Sequence, residues 1–302
     1  MREAGFALLG ASAILAIFLY VPLGSRSQTS NADSRSLTST STPDAYATVP
    51  LEAKAAVVYD LATGKVLYEK NADVQLPLAS LTKLLTVYAA LAVLSPETPI
   101  TISARATRVE APRAFNEGQT FSLSDLARLT LTASLNDGAV AIIEAAAERE
   151  NRTTDEALAS AAAALSLAQT YAVNGSGLDV NTALSGGYGS ARDLARLAGA
   201  LVGRAPNIAL ATTENSAHAV SAGGTSFNVK NTDPMVDTIP RLLLSKTGFT
   251  DLAGGNLALV FDVGMNHPIA VVVLGSSQKE RFTDATTLVA ATLAHFAGVA
   301  SL

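Results

Sequence analysis

The sequence contains no cysteine and no tryptophan, and only three of its 302 residues are histidines. The lack of cysteine excludes disulfide bonds, thiolate metal sites and a cysteine nucleophile. The histidines are His218, His267 and His295, and no two of them form an HExxH-type zinc motif. A metal site and a Ser-His-Asp triad are therefore both disfavoured. We expect chemistry that uses neither histidine nor a metal or other cofactor.

Charged residues are also scarce, at 16% of the chain, and they form no basic run. The net charge of −5 at pH 7 gives no electrostatic reason to expect nucleic acid as a partner. Nearly half of the residues are apolar, which is enough for a large core. The length that remains after the first fifty residues, about 250, fits one large domain or two closely packed subdomains.

The first fifty residues do not have the pattern of a folded domain. Residues 6–23 are apolar and uncharged, at the short end of what can span a bilayer, and no small-x-small cleavage site follows directly. Residues 24–50 are rich in Ser and Thr and poor in large apolar side chains. We therefore predict a membrane anchor at residues 1–23, with a cleaved signal as the alternative, a flexible linker at 24–50 and a folded domain at 51–302.

The folded part begins and ends with strand patterns. Residues Ala55–Glu69 have the pattern of a β-hairpin that turns at Gly64, and a closing helix is predicted at Arg281–Phe296. Late strands are predicted at Leu242–Gly248, Leu257–Val263 and Ile269–Leu274. Helical patterns lie between, with Ser124 and Ser190 as N-caps: Leu81–Leu94, Ser124–Leu131, Asp137–Glu150, Thr154–Leu167 and Ser190–Val202. These patterns predict an α+β fold, with an antiparallel sheet built from both ends of the domain and a helical subdomain inserted between them.

The first candidate for chemistry is the pair Ser80 and Lys83, within Ser-Leu-Thr-Lys. On a helix that begins at Ser80, residues i and i+3 share one face, so the two side chains would be neighbours. A neutral lysine can accept the proton of a serine hydroxyl, and burial or a second cation lowers the pKa of a lysine. Taken alone, the pattern more often marks an N-cap serine with a surface lysine.

Two further triplets are weak singly. Ser134–Asn136 (Ser-Leu-Asn) lies between two helical patterns, where a loop would point a hydroxyl and an amide into a cleft. Lys246–Gly248 (Lys-Thr-Gly) ends a predicted strand. Its lysine would be the second cation that Lys83 needs, its threonine would donate to a carboxylate, and its glycine would let a ligand approach the strand edge. Each triplet is otherwise ordinary loop or turn sequence.

Taken together and in this order, the three motifs resemble those of D-alanyl-D-alanine carboxypeptidases of the low-molecular-mass penicillin-binding class. The resemblance covers roughly residues 52–297. It includes Asp60–Asn71, which is similar to the family's opening hairpin, Asn174–Leu178, which is similar to its Asn-x-x-Gly-Leu loop, and Tyr188–Leu194, which is similar to the following helix start. It implies a β-lactamase/transpeptidase-like α+β fold and a serine peptidase that trims peptidoglycan pentapeptide stems and is inhibited covalently by β-lactams.

The resemblance also implies a role for each motif residue. Ser80 would attack the carbonyl between two D-alanines, and Lys83 would accept its proton. Ser134 and Asn136 would relay the proton and position the peptide. The substrate would be bound by the residues of the late strand and the last helix: Lys246, Thr247, Gly248, Phe249 and Arg281.

Some of these implications are less direct. The implied oxyanion hole consists of the backbone amides of Ser80 and Phe249. Arg281 fits either a contact with the carboxylate or an exposed position at the start of the last helix. Leu135 and Gly138 stand where the family usually has Gly and Ala, respectively. Leu135 would reshape the cleft, which affects the choice of substrate more than the chemistry.

Other functions stay open. An endopeptidase that cleaves cross-links shares every motif. A β-lactamase also needs a carboxylate that activates the deacylating water, and residues 168–172 (Ala-Gln-Thr-Tyr-Ala) contain no acid where class A enzymes carry one. A penicillin sensor that stays acylated is disfavoured because all catalytic positions are filled. The expected location is the cell membrane, with a single N-terminal anchor and the catalytic domain outside the cytoplasm, or outside the cell after signal cleavage.

Overall fold

The structure is a computed structural model that describes residues 44–298. The predicted anchor at residues 1–23 and most of the predicted linker at 24–50 lie outside the described residues. Ala45 and Tyr46 are buried, however, and the Tyr46 hydroxyl donates to Thr292 Oγ1 at 3.1 Å. The packed part of the chain therefore starts before residue 51. Within residues 44–298, no helix combines the length and the apolar character needed to span a membrane.

The described residues form the predicted α+β fold, with strands from both ends of the domain and helices between them. The strands, β1 to β12 in chain order, are Ala55–Asp60, Lys65–Lys70, Leu76–Pro77, Pro99–Thr101, Thr120–Ser122, Tyr171–Ala172, Gly187–Gly189, Ser216–Val220, Ser226–Lys230, Leu242–Thr250, Gly254–Asp262 and Pro268–Ser276. The helices, α1 to α7, are Thr82–Val93, Leu123–Ala133, Asn136–Glu150, Thr154–Ala164, Ala191–Arg204, Pro206–Ala211 and Glu280–Ala297.

The main sheet has the strand order β10-β11-β12-β1-β2, and all neighbouring strands are antiparallel. β1 and β2 form the predicted hairpin, and Gly64 takes a φ of +72° in its turn, a conformation that glycine adopts at little cost. β1 pairs with β12 from Ala55 opposite Leu274 to Asp60 opposite Ile269. This pairing joins the start of the domain to its end, and it leaves β10 at the sheet edge.

Both faces of the sheet are covered. Successive residues of a strand point to opposite faces, so Ala55 and Val57 pack towards the helical subdomain, whereas Ala56 and Val58 pack in the cluster that contains α7. α5 contacts β1 and β12, and α7 contacts β11 and β12. Burial on both faces explains why β11 and β12 are almost continuously apolar rather than alternating.

The predicted elements agree with the structure except at some ends and in the short elements. The predicted N-cap Ser124 is wrong, because it already lies inside α2. Ser122 has the extended backbone of an N-cap and accepts from Asp125 N at 3.0 Å. Ser190 caps α5 as predicted and accepts from Asp193 N at 3.1 Å. The hairpin β8–β9 and the short helix α6 were not predicted.

Candidate active site

Ser80 lies in a short 3₁₀ turn, Ala79–Leu81, directly before α1. The α-helix begins at Thr82, two residues after the start at Ser80 that was predicted from the sequence. Ala79 has a φ of +49°, a left-handed conformation that costs energy in a residue other than glycine. The spacing of the motif still brings its two polar side chains together, because Lys83 Nζ lies 2.8 Å from Ser80 Oγ.

Lys83 is entirely buried and surrounded by acceptors. Besides Ser80 Oγ, its Nζ lies 2.7 Å from Asn136 Oδ1 and 2.7 Å from the Ser176 carbonyl oxygen. Burial holds the pKa of Lys83 well below its usual value, and the positive charge of Lys246 lowers it further, whereas Asp137 acts in the opposite direction. A neutral amine beside a serine hydroxyl is able to accept the hydroxyl proton.

Asn136, at the start of α3, holds Lys83 in place. Its Nδ2 donates to the carbonyl oxygens of Glu110 and Ala111, each at 3.0 Å, while its Oδ1 accepts from Lys83. Both amide hydrogens are therefore used within the protein. The resemblance implied that this amide would help to position the peptide, whereas in the structure its oxygen contacts the lysine. The nitrogen has no hydrogen left for a substrate carbonyl.

The loop Asn174–Leu178 supplies the carbonyl that contacts Lys83. Asn174 Oδ1 accepts from the backbone N–H groups of Ser176 and Gly177 at 3.1 and 2.8 Å, which fixes the loop. Gly177 has a φ of +77°, and a Cβ there would lie 1.9 Å from the Ala79 carbonyl oxygen. This loop is similar to the family's Asn-x-x-Gly-Leu loop, but no role was predicted for it from the sequence.

Ser134 and Lys246 form a second pair across the cleft. Ser134 follows α2 with a left-handed φ of +60°, and its Oγ accepts from Lys246 Nζ at 3.0 Å. Lys246 Nζ also donates to the Thr247 carbonyl oxygen at 2.9 Å. Burial lowers the pKa of Lys246 to about 7, the charge of Arg281 lowers it too, and Asp233 opposes both effects. Lys246 therefore loses its charge as the pH rises through neutrality.

Gly248 allows β10 to lie directly against the Ser80 turn. A Cβ at this position would lie 2.9 Å from the Leu78 carbonyl oxygen and 3.3 Å from the Ser80 amide nitrogen. This glycine was predicted to make room for a ligand, but the backbone that approaches it is the protein's own. Phe249 follows on the same strand with an exposed side chain.

Arg281 is buried at the start of α7, so its interpretation as an exposed residue is wrong. One guanidinium nitrogen, Nη1, donates to the Gly248 carbonyl oxygen at 2.7 Å, which places the cation beside the end of β10. Its Nε is buried without a hydrogen-bond partner. Burial lowers the pKa of Arg281, and Asp233 acts against that effect. The guanidinium therefore has an N–H group, at Nε, without a partner beside the strand that carries Thr247.

The structure thus brings the predicted motif residues into one cleft between the helical subdomain and the sheet edge. Ser80, Lys83 and Asn136 form one hydrogen-bonded group, and Ser134 and Lys246 form the other. Between residues 44 and 298, no group of three His, Asp or Glu side chains is placed to hold a metal ion.

The fold and the comparisons with known proteins define a serine-type hydrolase with the fold of the penicillin-binding proteins. The family model of the D-alanyl-D-alanine carboxypeptidases, peptidase family S11, matches residues 38–278, and the chain belongs to this family.

Named relatives include enzymes of two specificities. The chain is 30% identical over 255 residues to a D-alanyl-D-alanine endopeptidase of Pseudomonas aeruginosa, with 82% of this chain and 80% of that protein covered. It is 29% identical to the D-alanyl-D-alanine carboxypeptidase DacF of Bacillus subtilis over 78% of this chain and 61% of DacF, so it spans about three-fifths of that enzyme. Penicillin-binding protein D2 of Listeria monocytogenes, solved in an ampicillin-bound form, aligns with a TM-score of 0.68 and 27% identity, covering 81% of this chain and 98% of that one.

Proposed function

We propose that the protein is a D-alanyl-D-alanine carboxypeptidase that removes the terminal D-alanine of peptidoglycan stem peptides through an acyl-enzyme on Ser80, with Lys83 as the general base. Membership of the S11 family supports D,D-peptidase chemistry. The observation that carries the assignment of roles is the 2.8 Å contact between Lys83 Nζ and Ser80 Oγ, at an amine that is entirely buried.

The chemical steps follow from these contacts. Neutral Lys83 accepts the proton of Ser80 while Oγ bonds to the carbonyl carbon between the two D-alanines. The backbone amides of Ser80 and Phe249 would bind the oxyanion, and oxyanion donors of this kind contribute about 3–4 kcal/mol each. The C–N bond then breaks, and the proton taken up by Lys83 passes through Ser134, which Lys246 contacts, to the leaving amine. In the second half of the reaction, water gives a proton to neutral Lys83 as its oxygen bonds to the acyl carbon. Lys83 then returns that proton to Ser80 Oγ as the ester bond breaks.

The D-alanine carboxylate would bind at the end of β10. Thr247 supplies a hydroxyl, and Arg281 supplies a buried cation with an unpartnered Nε. Among the described residues, no carboxylate lies within ion-pair distance of the Arg281 guanidinium, although a buried charge is costly without a partner. A carboxylate on the substrate would offset that cost, which favours a substrate with a free terminal acid.

An endopeptidase that cleaves cross-linked stems is the second candidate. It is favoured by the Pseudomonas aeruginosa endopeptidase, 80% of whose length this chain matches, compared with 61% of DacF. A β-lactamase is disfavoured. Asp137 is the acid whose charge acts on Lys83. It accepts from the amides of Ala114 and Phe115 with one oxygen and from Gly138 N with the other, so it is engaged and unable to activate water.

Two wider proposals accompany the reaction. The ampicillin-bound relative supports β-lactams as covalent inhibitors that acylate Ser80. The apolar sequence of residues 6–23 supports a single anchor that holds the catalytic domain on the outer side of the cell membrane, with secretion after signal cleavage as the alternative.

The test is covalent labelling of the full chain by a fluorescent penicillin, together with an assay of D-alanine release from a pentapeptide. We expect Ser80→Ala to abolish labelling, because the nucleophile is lost, and to leave the thermal unfolding transition in place. Ser226→Ala removes a hydroxyl on β9 and is the matched control, which should label normally. Labelling that survives in Ser80→Ala would overturn the assignment. Cleavage of a cross-linked dimer without D-alanine release would instead identify the endopeptidase.

A further inference from the structure

Thr232 lies at the rim of the cleft and contacts the hydroxyl that is proposed to bind the substrate carboxylate. Its Oγ1 lies 2.6 Å from Thr247 Oγ1, which is a short hydroxyl–hydroxyl hydrogen bond. Thr247 is buried, whereas Thr232 is exposed. Thr232 has no place in the three sequence motifs, and the chemical steps described above do not use it.

The backbone of Thr232 is held in position independently of its hydroxyl. Its N–H donates to the carbonyl oxygen of Thr132, two residues before Ser134, at 3.1 Å. The preceding Asn231 donates through Nδ2 to two carbonyl oxygens of the α6–β8 connection at 2.8 Å. The following Asp233 is buried and accepts from Ser245 Oγ at 2.5 Å. Thr232 therefore contacts the end of α2 through its backbone N–H and β10 through its hydroxyl. A change of its side chain alone leaves the backbone hydrogen bond to α2 in place.

The direction of the hydrogen bond between the two hydroxyls decides whether Thr247 has a proton left for the substrate. Each hydroxyl has one proton and can accept further hydrogen bonds. If Thr247 donates to Thr232, it has no proton left for a bound carboxylate. If Thr232 donates to Thr247, the Thr247 proton is available to the anion. Thr232 Oγ1 lies 3.5 Å from its other acceptor, the Thr132 carbonyl oxygen, which is too long to hold its proton firmly.

We propose that Thr232 is a positioning residue for recognition of the terminal carboxylate. Its hydroxyl donates to Thr247 Oγ1, so the Thr247 hydroxyl stays free to donate its own hydrogen bond to the substrate carboxylate. This inference rests on the proposed function and deepens it, because it names a side chain that selects substrates ending in a free acid. Two hydroxyls in series also polarise one another, which strengthens the bond to the anion.

The experiment compares Thr232→Val with the wild type in the full chain. Valine keeps the branched shape and the backbone N–H, and it removes the hydroxyl. The readouts are kcat and KM on a pentapeptide with a free C-terminal carboxylate and on the same peptide as a C-terminal amide. We expect kcat/KM on the free acid to fall about tenfold, mainly through KM, because a hydrogen bond to a charged group is weakened. The amide substrate should change less than about twofold, since it offers no anion.

Two variants complete the test. Thr232→Ser should restore the preference for the free acid, because it restores the hydroxyl. Thr238→Val is the matched control. Thr238 is an exposed threonine that lies, like Thr232, between β9 and β10, and its hydroxyl donates to the Met235 carbonyl oxygen. An equal loss on both substrates, no loss at all, or failure of serine to rescue would each overturn the inference. Absence of Ser80-dependent labelling in the wild type would instead overturn the proposed function.

Discussion

The two lysines of the cleft are buried alike but have different neighbours. Lys83 Nζ contacts the Ser80 hydroxyl and two further oxygen acceptors, one from a side-chain amide and one from a backbone carbonyl. Lys246 Nζ contacts the Ser134 hydroxyl and the carbonyl oxygen of the next residue on its own strand. Each lysine therefore has its own serine. The helical motifs position the first amine, and the sheet edge positions the second.

The charges around the two amines differ as well. Burial is the largest cause that lowers both pKa values. The pKa of Lys83 lies well below its usual value, with the charge of Lys246 lowering it further and Asp137 acting in the opposite direction. The pKa of Lys246 falls to about 7, with Arg281 and Asp233 acting in opposite directions. Below about pH 7, Lys83 is thus suited to be neutral while Lys246 still carries a charge. We therefore propose Lys83 as the base and Lys246 as the cation, and substitutions at each lysine would separate these roles.

The largest effect is expected for Lys83→Ala. Ser80 then lacks its base, and general base catalysis contributes about 10²–10⁴-fold, so we expect acylation at neutral pH to fall by about that factor. The measurement is the rate of labelling by a fluorescent penicillin in rapid-mixing experiments, with circular dichroism as the check on folding.

A second substitution at the same position separates the base from the charge. Lys83→Arg places a permanent cation at the site, because the guanidinium group is not deprotonated in proteins. We expect it to acylate as poorly as Lys83→Ala. If Lys83→Arg acylated normally, positive charge rather than proton transfer would be the contribution of this residue, and the contrast with Lys246 would fail.

An effect of intermediate size is expected for Lys246→Arg, which should shift the dependence of the acylation rate on pH. In the wild type, the rate of acylation should fall on the acid side as Lys83 is protonated and on the alkaline side as Lys246 loses its proton. An essential acid gives a fall of about tenfold for each pH unit above its pKa. Arginine keeps its charge throughout the accessible range. The alkaline limb should therefore move to higher pH, whatever the change in the maximal rate, and a limb that stays in place would mean that another group titrates.

The fold could be predicted because its signals are local. The period-two and apolar patterns of β1, β10, β11 and β12 and the turn at Gly64 appear in short stretches of sequence, and their pairing follows from the pattern at both ends of the domain. The N-cap at Ser122 could not be separated from Ser124 by sequence, because both serines precede the same apolar run. The choice depends on where the preceding strand ends, which is a tertiary property.

The candidate site could be predicted only in part. Ser80, Lys83 and Lys246 belong to motifs whose spacing and order carry information. The carbonyl of Ser176 could not be assigned, because a backbone atom leaves no trace in the residue type. Thr232 and Asp233 lie in a connection without a motif, so their contacts with β10 become visible only when that connection is placed in space. Arg281 was an open choice because burial of a helix start depends on packing.

The smallest effect is expected for Asp233→Asn. Asp233 is buried beside β10, accepts from Ser245 Oγ, and opposes the lowering of the Lys246 pKa. Asparagine keeps nearly the same shape and removes the negative charge, so the pKa of Lys246 should fall further. The alkaline limb of the acylation profile should then move to lower pH, opposite to Lys246→Arg and by less. The control is Asp237→Asn, an exposed acid of the same connection that accepts from Asn215 Nδ2 at 2.8 Å and should leave the profile unchanged. An alkaline limb that moved upward in Asp233→Asn would show that this carboxylate does not support the charge of Lys246, and the electrostatic part of the contrast between the two lysines would have to be abandoned.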